Sequence, residues 1–199
     1  LSRMQFRDVA SLRCVIVAGE ACPPTCVDSV TTKCELINAY GPTEATIWST
    51  AFRVPRDGAR MTSIPIGLPV GNTGVLILDE RLNAVPYGSI GEIYLTGPAL
   101  ARGYRNRPDL TAEMFLPNPD GPPGSRMYKT GDVGRWTNAG QIEFAGRIDH
   151  QVKLRGFRIE LGEVERVLAT CGAVRAATVL VQGTESARHL AAFLEGPDL

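Results

Sequence analysis

CELINAYGPTEATIWST, residues 34–50, sets a rigid bend between two apolar runs. The residues before Gly41 read as a buried strand, and those from Ile47 onward read as another. Gly41-Pro42 forces the turn between them, and Thr43-Glu44 then place a hydroxyl and a carboxylate side by side. A hydroxyl there can donate to a phosphate oxygen, and a carboxylate can ligate Mg²⁺, a hard cation that takes oxygen ligands. The same residues also fit a plain helical turn, with Thr43 as its cap and Glu44 in its first turn. Local features leave both readings open.

Upstream, LRCVIVAGEACPP (residues 12–24) is a short apolar strand running into Gly19, and Pro23-Pro24 can open a helix through Val27 and Val30. Strand, helix and strand make an α/β unit, in which function gathers where the carboxyl ends of the strands meet the loops. AGEA (18–21) and AYGPTE (39–44) both occupy such ends. From about Ile66 the texture becomes short β-rich runs separated by Asn, Asp and Gly, predicting an antiparallel sheet or small barrel. A loop rich in Pro and Gly, LPNPDGPPGS (116–125), interrupts it. YKTGDVGRWTNAGQIEFAGR (128–147) then predicts a hairpin pair turning at TGD and at TNAG. That puts Asp132 on a turn, where its carboxylate is either an ordinary turn residue or an acceptor for both hydroxyls of a ribose.

Past Arg147, DHQVKLRGFRIE alternates like a strand, and GEVERVLATCG predicts a helix with Val164, Val167 and Leu168 on one face and Gly172 as its C-terminal cap. AVRAATVLVQ and HLAAFLE predict two more strands. The expected organisation is residues 1–65 in an α/β subdomain, 66–148 in a β-barrel-like subdomain, and 149–199 in a small α+β domain.

Composition excludes several function classes. The 199 residues are 44% hydrophobic, enough for a real core, and 21 basic residues balance 21 acidic ones. With zero net charge no global field recruits nucleic acid or an anionic membrane, so any phosphate chemistry must come from local placement. Cys14, Cys22, Cys26, Cys34 and Cys171 have neither C-x-x-C nor Cys/His metal spacing, which predicts reduced packing residues in a cytoplasmic protein. No apolar run reaches the roughly 18 to 20 residues of a membrane helix, and no leader opens the chain. With only His150 and His189, and no G-x-S-x-G, G-x-G-x-x-G or G-x-x-x-x-G-K-[ST], the simple hydrolase, dehydrogenase and P-loop readings drop out. The start at Leu1, in mid-pattern, predicts a piece of a longer protein.

Arg147, Lys153, Arg155 and Arg158 crowd one stretch together with Asp149, Glu160, Glu163 and Glu165. Such a run is either a salt-bridged surface or a cationic site for phosphate or carboxylate, with Gly156 allowing close approach.

In their order and spacing, NAYGPTE, GEIYLTGPALARGYRNRPDLTAEMF, YKTGD and GRIDHQVKLRGFRIELGEVE resemble the adenylation domains of nonribosomal peptide synthetases, within the acyl-adenylate-forming superfamily. The resemblance implies an α/β fragment of that fold, with a β-barrel-like subdomain and a small α+β C-terminal domain. It implies ATP-dependent formation of an aminoacyl-AMP, then transfer to the phosphopantetheine of a peptidyl-carrier protein, with a condensation domain as a further partner. By resemblance, Asn38 meets the adenine edge and Tyr40 its face, while Gly19, Glu20 and Ala21 line its other side and Gly41 belongs to the same site. Thr43 holds the α-phosphate, Glu44 the Mg²⁺, and Asp132 the ribose hydroxyls, assisted by Arg147 and near Phe144. Asp149 matches the hinge, Arg158 approaches the phosphate in one hinge state, and Gly156 lies along the pantetheine passage. Ile16, Ala18, Ala39, Ile47 and Trp48 match the amino-acid pocket; no charge among them suits a charged side chain. The family's phosphate loop with its Lys is expected upstream of Leu1, and its last Lys beyond Leu199. A carboxylate–CoA or aryl-acid ligase and a non-catalytic nucleotide-binding module remain the alternatives.

Overall fold

Alternation in the first strand already divides core from surface. A computed structural model of the chain describes residues 11–30, 34–55, 61–149, 151–183 and 187–197. His150 lies outside them. In β1 (Cys14–Ala18), Val15 and Val17 point inward while Cys14, Ile16 and Ala18 are exposed, the period-2 consequence of a pleated backbone. β1 runs through α1 (Thr25–Ser29) into β2 (Glu35–Tyr40), which pairs with it in parallel, Ile16 opposite Ile37 and Ala18 opposite Ala39. The α/β unit expected from the sequence is therefore present. β3 (Thr50–Arg53) and β4 (Leu68–Pro69) extend this sheet antiparallel. Val15, Val17, Cys22, Cys26, Cys34 and Leu36 pack together with Val54 and Ile64 on one of its faces. Burial, then the neighbouring Cys26, pushes the Cys22 thiol up to about 12, so it stays a protonated packing group.

The second sheet is antiparallel, in the order β5 (Gly74–Leu78), β6 (Gly91–Thr96), β8 (Arg126–Trp136) and β7 (Phe115–Pro117), with β9 (Ile142–Arg147) also on β8. α2 (Pro108–Met114) precedes β7, opened by a proline at its first position. A bridge between Gly67 and Ile142 ties the end of the first sheet to β9, so the opening residues of the 66–148 segment still belong to the first sheet. Tyr40, Ala45, Ile66, Ile77, Ile93, Leu95 and Ile142 share one core.

The turn expected at TGD is a correction. Thr130, Gly131 and Asp132 lie inside β8, a continuous strand of 11 residues. Gly131 takes φ 72°, but as a bulge: the β6–β8 register slips between Glu92 and Tyr94. Pairing on both edges overrides the local turn preference, and such bulges re-aim side chains. The turn at TNAG does form, with Gly140 N–H donating to Thr137 O at 2.9 Å between β8 and β9.

The chain divides into compact units at residues 1–148 and 149–199. In the second, β10 (Gln151–Leu154) and β11 (Phe157–Glu160) form a hairpin. Arg155 at φ 53° and Gly156 at φ 80° supply the paired positive φ of a two-residue turn. α3 (Leu161–Leu168) buries Leu161 and half-buries Val164 and Leu168. Val167, expected on that face, is 62% exposed, because the buried stripe follows positions 161, 164 and 168. The helix also stops earlier than expected, with Ala169 in αR conformation as its C-cap in place of Gly172. β12 (Ala176–Gln182) and β13 (His189–Glu195) pair antiparallel, with Val179 buried and its N–H donating to Glu165 Oε1 at 2.8 Å. No helix among the described residues is long and apolar enough to cross a membrane.

Candidate functional site

Two clusters gather candidate residues of the first unit. The first is built by the β8 bulge. Register pairs Asp132 with Arg147 across β8 and β9, and Arg147 Nη1 donates to Asp132 Oδ1 at 2.5 Å. Tyr40, 92 residues away in sequence, donates its hydroxyl to Asp132 Oδ2 at 2.6 Å. Thr130 completes the corner. Its Oγ1 accepts from Asp132 N–H at 3.0 Å and donates to Ile93 O at 2.6 Å, and its carbonyl accepts from Arg147 Nη2 at 3.2 Å. The Phe144 ring lies 6.3 Å from that of Tyr40 and is 39% exposed. Burial, and then the negative Asp132, push the Tyr40 phenol well above its ordinary range, so it stays neutral and donates. The structure thus brings together Tyr40, Asp132, Phe144 and Arg147. A carboxylate has about four acceptor positions, and Tyr40 and Arg147 occupy two of those of the buried Asp132.

The second cluster is the turn after β2. Thr43–Ala45 form one turn of 3-10 helix whose cap position is Pro42, with no side-chain cap bond. Thr43 is therefore not the cap of a helical turn, and it is exposed. Glu44 is held twice: its carbonyl accepts from Ala101 N–H at 2.7 Å and its Oε1 from the Tyr104 hydroxyl at 2.7 Å. Thr46 and Ile47 both sit at positive φ, 59° and 73°, an uncommon conformation for β-branched residues. Thr46 Oγ1 donates to Ala99 O at 2.7 Å, anchoring this strained pair to the 97–104 loop. Gly41 is required sterically, since a Cβ there would lie 2.6 Å from Trp48 Cα and 2.7 Å from Ser49 N.

The remaining candidates of this unit sort by face. Ile16, 51% exposed, and Ala18, also exposed, share a sheet face with buried Ala39, set by the β1–β2 register. Ile47 is 74% exposed and Trp48 half-buried. Gly19, at φ 89°, has open space around its Cβ position, and Glu20 and Ala21 after it are exposed. Asn38 points to the opposite face of β2, buried, and its amide NH₂ donates to Pro65 O at 2.7 Å and Ile64 O at 3.4 Å. Its remaining polar atom is an acceptor, which complements an exocyclic amine. In the second unit, Asp149 Oδ1 accepts from Gln151 N–H at 3.2 Å. Arg158 is exposed, directly across from Lys153, and Gly156 sits at the hairpin turn with open space about it.

Sequence reasoning missed Tyr104, Tyr128, Thr130 and Thr46. All lie in or beside the quoted motifs, but their roles depend on partners distant in the chain. Tyr104, for instance, lies 60 residues from Glu44.

These geometries can be set beside known proteins. Residues 2–105 match the family model described as AMP-binding enzyme. Phosphinothricin tripeptide synthetase PhsC of Streptomyces viridochromogenes is 47% identical over 97% of the chain, and tyrocidine synthase 1 of Brevibacillus parabrevis is likewise 47% identical over 97%. The chain spans only 18% of the length of each of these two relatives. Among solved structures, an NRPS protein containing adenylation and PCP domains superposes with a TM-score of 0.85 at 31% identity, covering 96% of this chain and 39% of that one. The Vibrio cholerae adenylation domain AlmE, in complex with glycyl-adenosine-5'-phosphate, gives 0.81 at 30% identity, covering 92% and 36%. The mixed α/β architecture is thus part of the acyl-adenylate-forming fold. With more than half of its residues matched by the family model, the chain belongs to the AMP-binding enzyme family.

Proposed function

We propose that the protein containing this chain activates an amino acid: its carboxylate attacks the α-phosphate of ATP, giving aminoacyl-AMP and pyrophosphate. The thiol of a carrier protein's phosphopantetheine then takes the acyl group as a thioester and releases AMP. The observation that carries this reading is the Tyr40–Asp132–Arg147 corner, a buried carboxylate pre-aimed by a phenol and a guanidinium beside the Phe144 ring. It is supported by the synthetase relatives and by a neighbouring fold solved with an aminoacyl adenylate.

In this reading Asp132 accepts the ribose hydroxyls, with Arg147 holding its orientation. Asn38 and Tyr40 border the adenine, Gly19, Glu20 and Ala21 line its other side, and Gly41 lets the turn close beneath it. The exposed Thr43 hydroxyl donates to the α-phosphate. Fixed donors where charge develops need no reorganisation at the moment of reaction. Glu44 fits Mg²⁺ by donor chemistry, as a hard oxygen ligand beside a hydroxyl. An ion of this kind is held by one or two protein carboxylates together with the nucleotide's phosphates. When bound, Mg²⁺ neutralises charge on the phosphoryl oxygens.

Ile16, Ala18, Ala39, Ile47 and Trp48 face the amino acid, and their lack of charge favours an uncharged side chain. Asp149 is the hinge between adenylate and thioester formation, Arg158 reaches the phosphate in one of those states, and Gly156 lets the pantetheine arm pass. A condensation domain is a further partner.

The test is amino-acid-dependent exchange of pyrophosphate into ATP by the full-length protein. Exchange with one or a few uncharged amino acids is expected, and no exchange across a complete panel would end this reading. Gly156→Trp should spare exchange and abolish thioester formation.

A further inference from the structure

Glu44 is steered by two tyrosines for which the reaction above has no use. Its Oε1 accepts from the Tyr104 hydroxyl at 2.7 Å, and that hydroxyl lies 3.3 Å from the hydroxyl of Tyr128. A phenol has one hydrogen, and a carboxylate only accepts. Tyr104 therefore spends its hydrogen on Glu44, and Tyr128 is the donor in the contact between the phenols. The direction runs Tyr128 to Tyr104 to Glu44.

The relay stands on rigid parts of the fold. Tyr128 is fully buried in β8. Tyr104 N–H donates to Thr111 Oγ1 of α2 at 2.9 Å. Phe115 wedges against both phenols, with ring centroids 5.8 Å from Tyr104 and 4.9 Å from Tyr128. Gly103, at φ 145°, admits no side chain, since a Cβ would sit 2.4 Å from Thr111 Cγ2. The Tyr104 hydroxyl is thus placed by α2 and β8, while Glu44 sits on the turn after β2.

We propose that Tyr104, backed by Tyr128, is a positioning residue for Glu44, fixing the rotation of its carboxylate and hence the direction it offers a divalent cation. This rests on the reading of Glu44 as the Mg²⁺ ligand. A hydrogen bond at one carboxylate oxygen fixes the plane of the other, and partners of this kind typically govern 10–100-fold in metal affinity.

The test uses the full-length protein saturated with a non-hydrolysable ATP analogue, with Mn²⁺ as the probe and electron paramagnetic resonance reporting bound ion. Tyr104→Phe should weaken Mn²⁺ about 10–100-fold while leaving metal-free nucleotide affinity at the wild-type level. Tyr128→Phe should weaken it less, and the double variant no more than Tyr104→Phe alone, since both act through one hydrogen bond. Wild-type Mn²⁺ binding by Tyr104→Phe alongside its loss in Glu44→Gln would overturn the positioning role and leave the metal role of Glu44 standing. Unchanged Mn²⁺ binding in Glu44→Gln would overturn both. Should Tyr104→Phe lose metal-free nucleotide binding through misfolding, Tyr128→Phe decides: a metal-selective loss supports the relay, and its absence ends it.

Discussion

The corner around Asp132 and the turn after β2 sit on the same strand end yet are built in opposite ways. Asp132 and Tyr40 are almost wholly buried, and the side chain of Arg147 is 12% exposed. All three take hydrogen-bond partners from β2, β8 and β9. The turn carries an exposed Thr43, an Ile47 that is 74% exposed, and consecutive positive φ values at Thr46 and Ile47. In the proposed reading a ribose presents the same hydroxyls throughout adenylation, so a receptor for it can be rigid. Phosphate charge, cation and amino acid change during the reaction, and the groups proposed to meet them are on the open, strained turn. The comparison teaches that one strand can end in a buried, fixed corner and an exposed, strained turn, with Gly41 dividing them.

The sharpest way to break that contrast is at Asp132. Asp132→Ala leaves Arg147 largely buried without its carboxylate and Tyr40 without its acceptor. Removing one partner of a buried pair costs about 3–5 kcal/mol, to be read from denaturant unfolding. In Asp132→Asn, which keeps the shape, nucleotide affinity should fall by about 1–3 kcal/mol, measured by titration calorimetry on the full-length protein. Unchanged affinity in that variant would remove the ribose role.

Gly41→Ala should cost less, about 1–3 kcal/mol, because its Cβ must push the backbone of Trp48 and Ser49 aside. The damage should concentrate in the turn. Turnover is expected to drop more than nucleotide affinity, and the reverse pattern would mean that the turn and the corner are not separable.

How much of this was legible beforehand follows the range of the interactions. The unit of β1, α1 and β2 was readable because its short apolar runs and its Pro-Pro are local signals, and the TNAG turn for the same reason. TGD misled because Gly131 does adopt a turn-like φ of 72°, yet pairing with β6 and β9 keeps it within a strand. Val167 misled because an apolar residue next to Leu168 suggests a shared face, whereas the buried stripe skips it. The members of the corner were named from resemblance, but nothing in the sequence could reveal that Tyr40 donates to Asp132 across 92 residues. Tyr104 and Tyr128 went unassigned because neither phenol's neighbours in the chain signal the distant partner it will meet.

Tyr40 also ties the corner to pH. Its folded phenol titrates well above the ordinary value of 10.0, so once pH passes that value the unfolded chain releases its proton while the folded chain keeps it. Stability is fully present below about pH 10 and falls above it, by about 1.4 kcal/mol per pH unit for this one group. Tyrosinate absorbance in an alkaline titration should show a late-ionising phenol that disappears in Tyr40→Phe. Loss of an early, ordinary phenol in that variant, with the late ionisation intact, would mean that the corner is open to water.

The smallest effect belongs to the turn, and its sign is the informative part. An L-residue in the left-handed region costs about 1–2 kcal/mol, and Ile47 at φ 73° is β-branched as well. Its side chain is 74% exposed, so Ile47→Gly gives up little burial while relieving that strain. Glycine loses more backbone entropy on folding, which takes back about 0.4–1 kcal/mol. The variant should therefore be as stable as the wild type or up to about 1 kcal/mol more so in denaturant unfolding. If Ile47 also faces the amino acid, exchange rates across a panel should become less selective, by about tenfold or more for substrates that differ by a methylene. A stability loss as large as that expected at Gly41 would show that the turn stores no strain at Ile47, and the contrast with the Asp132 corner would reduce to one of exposure alone.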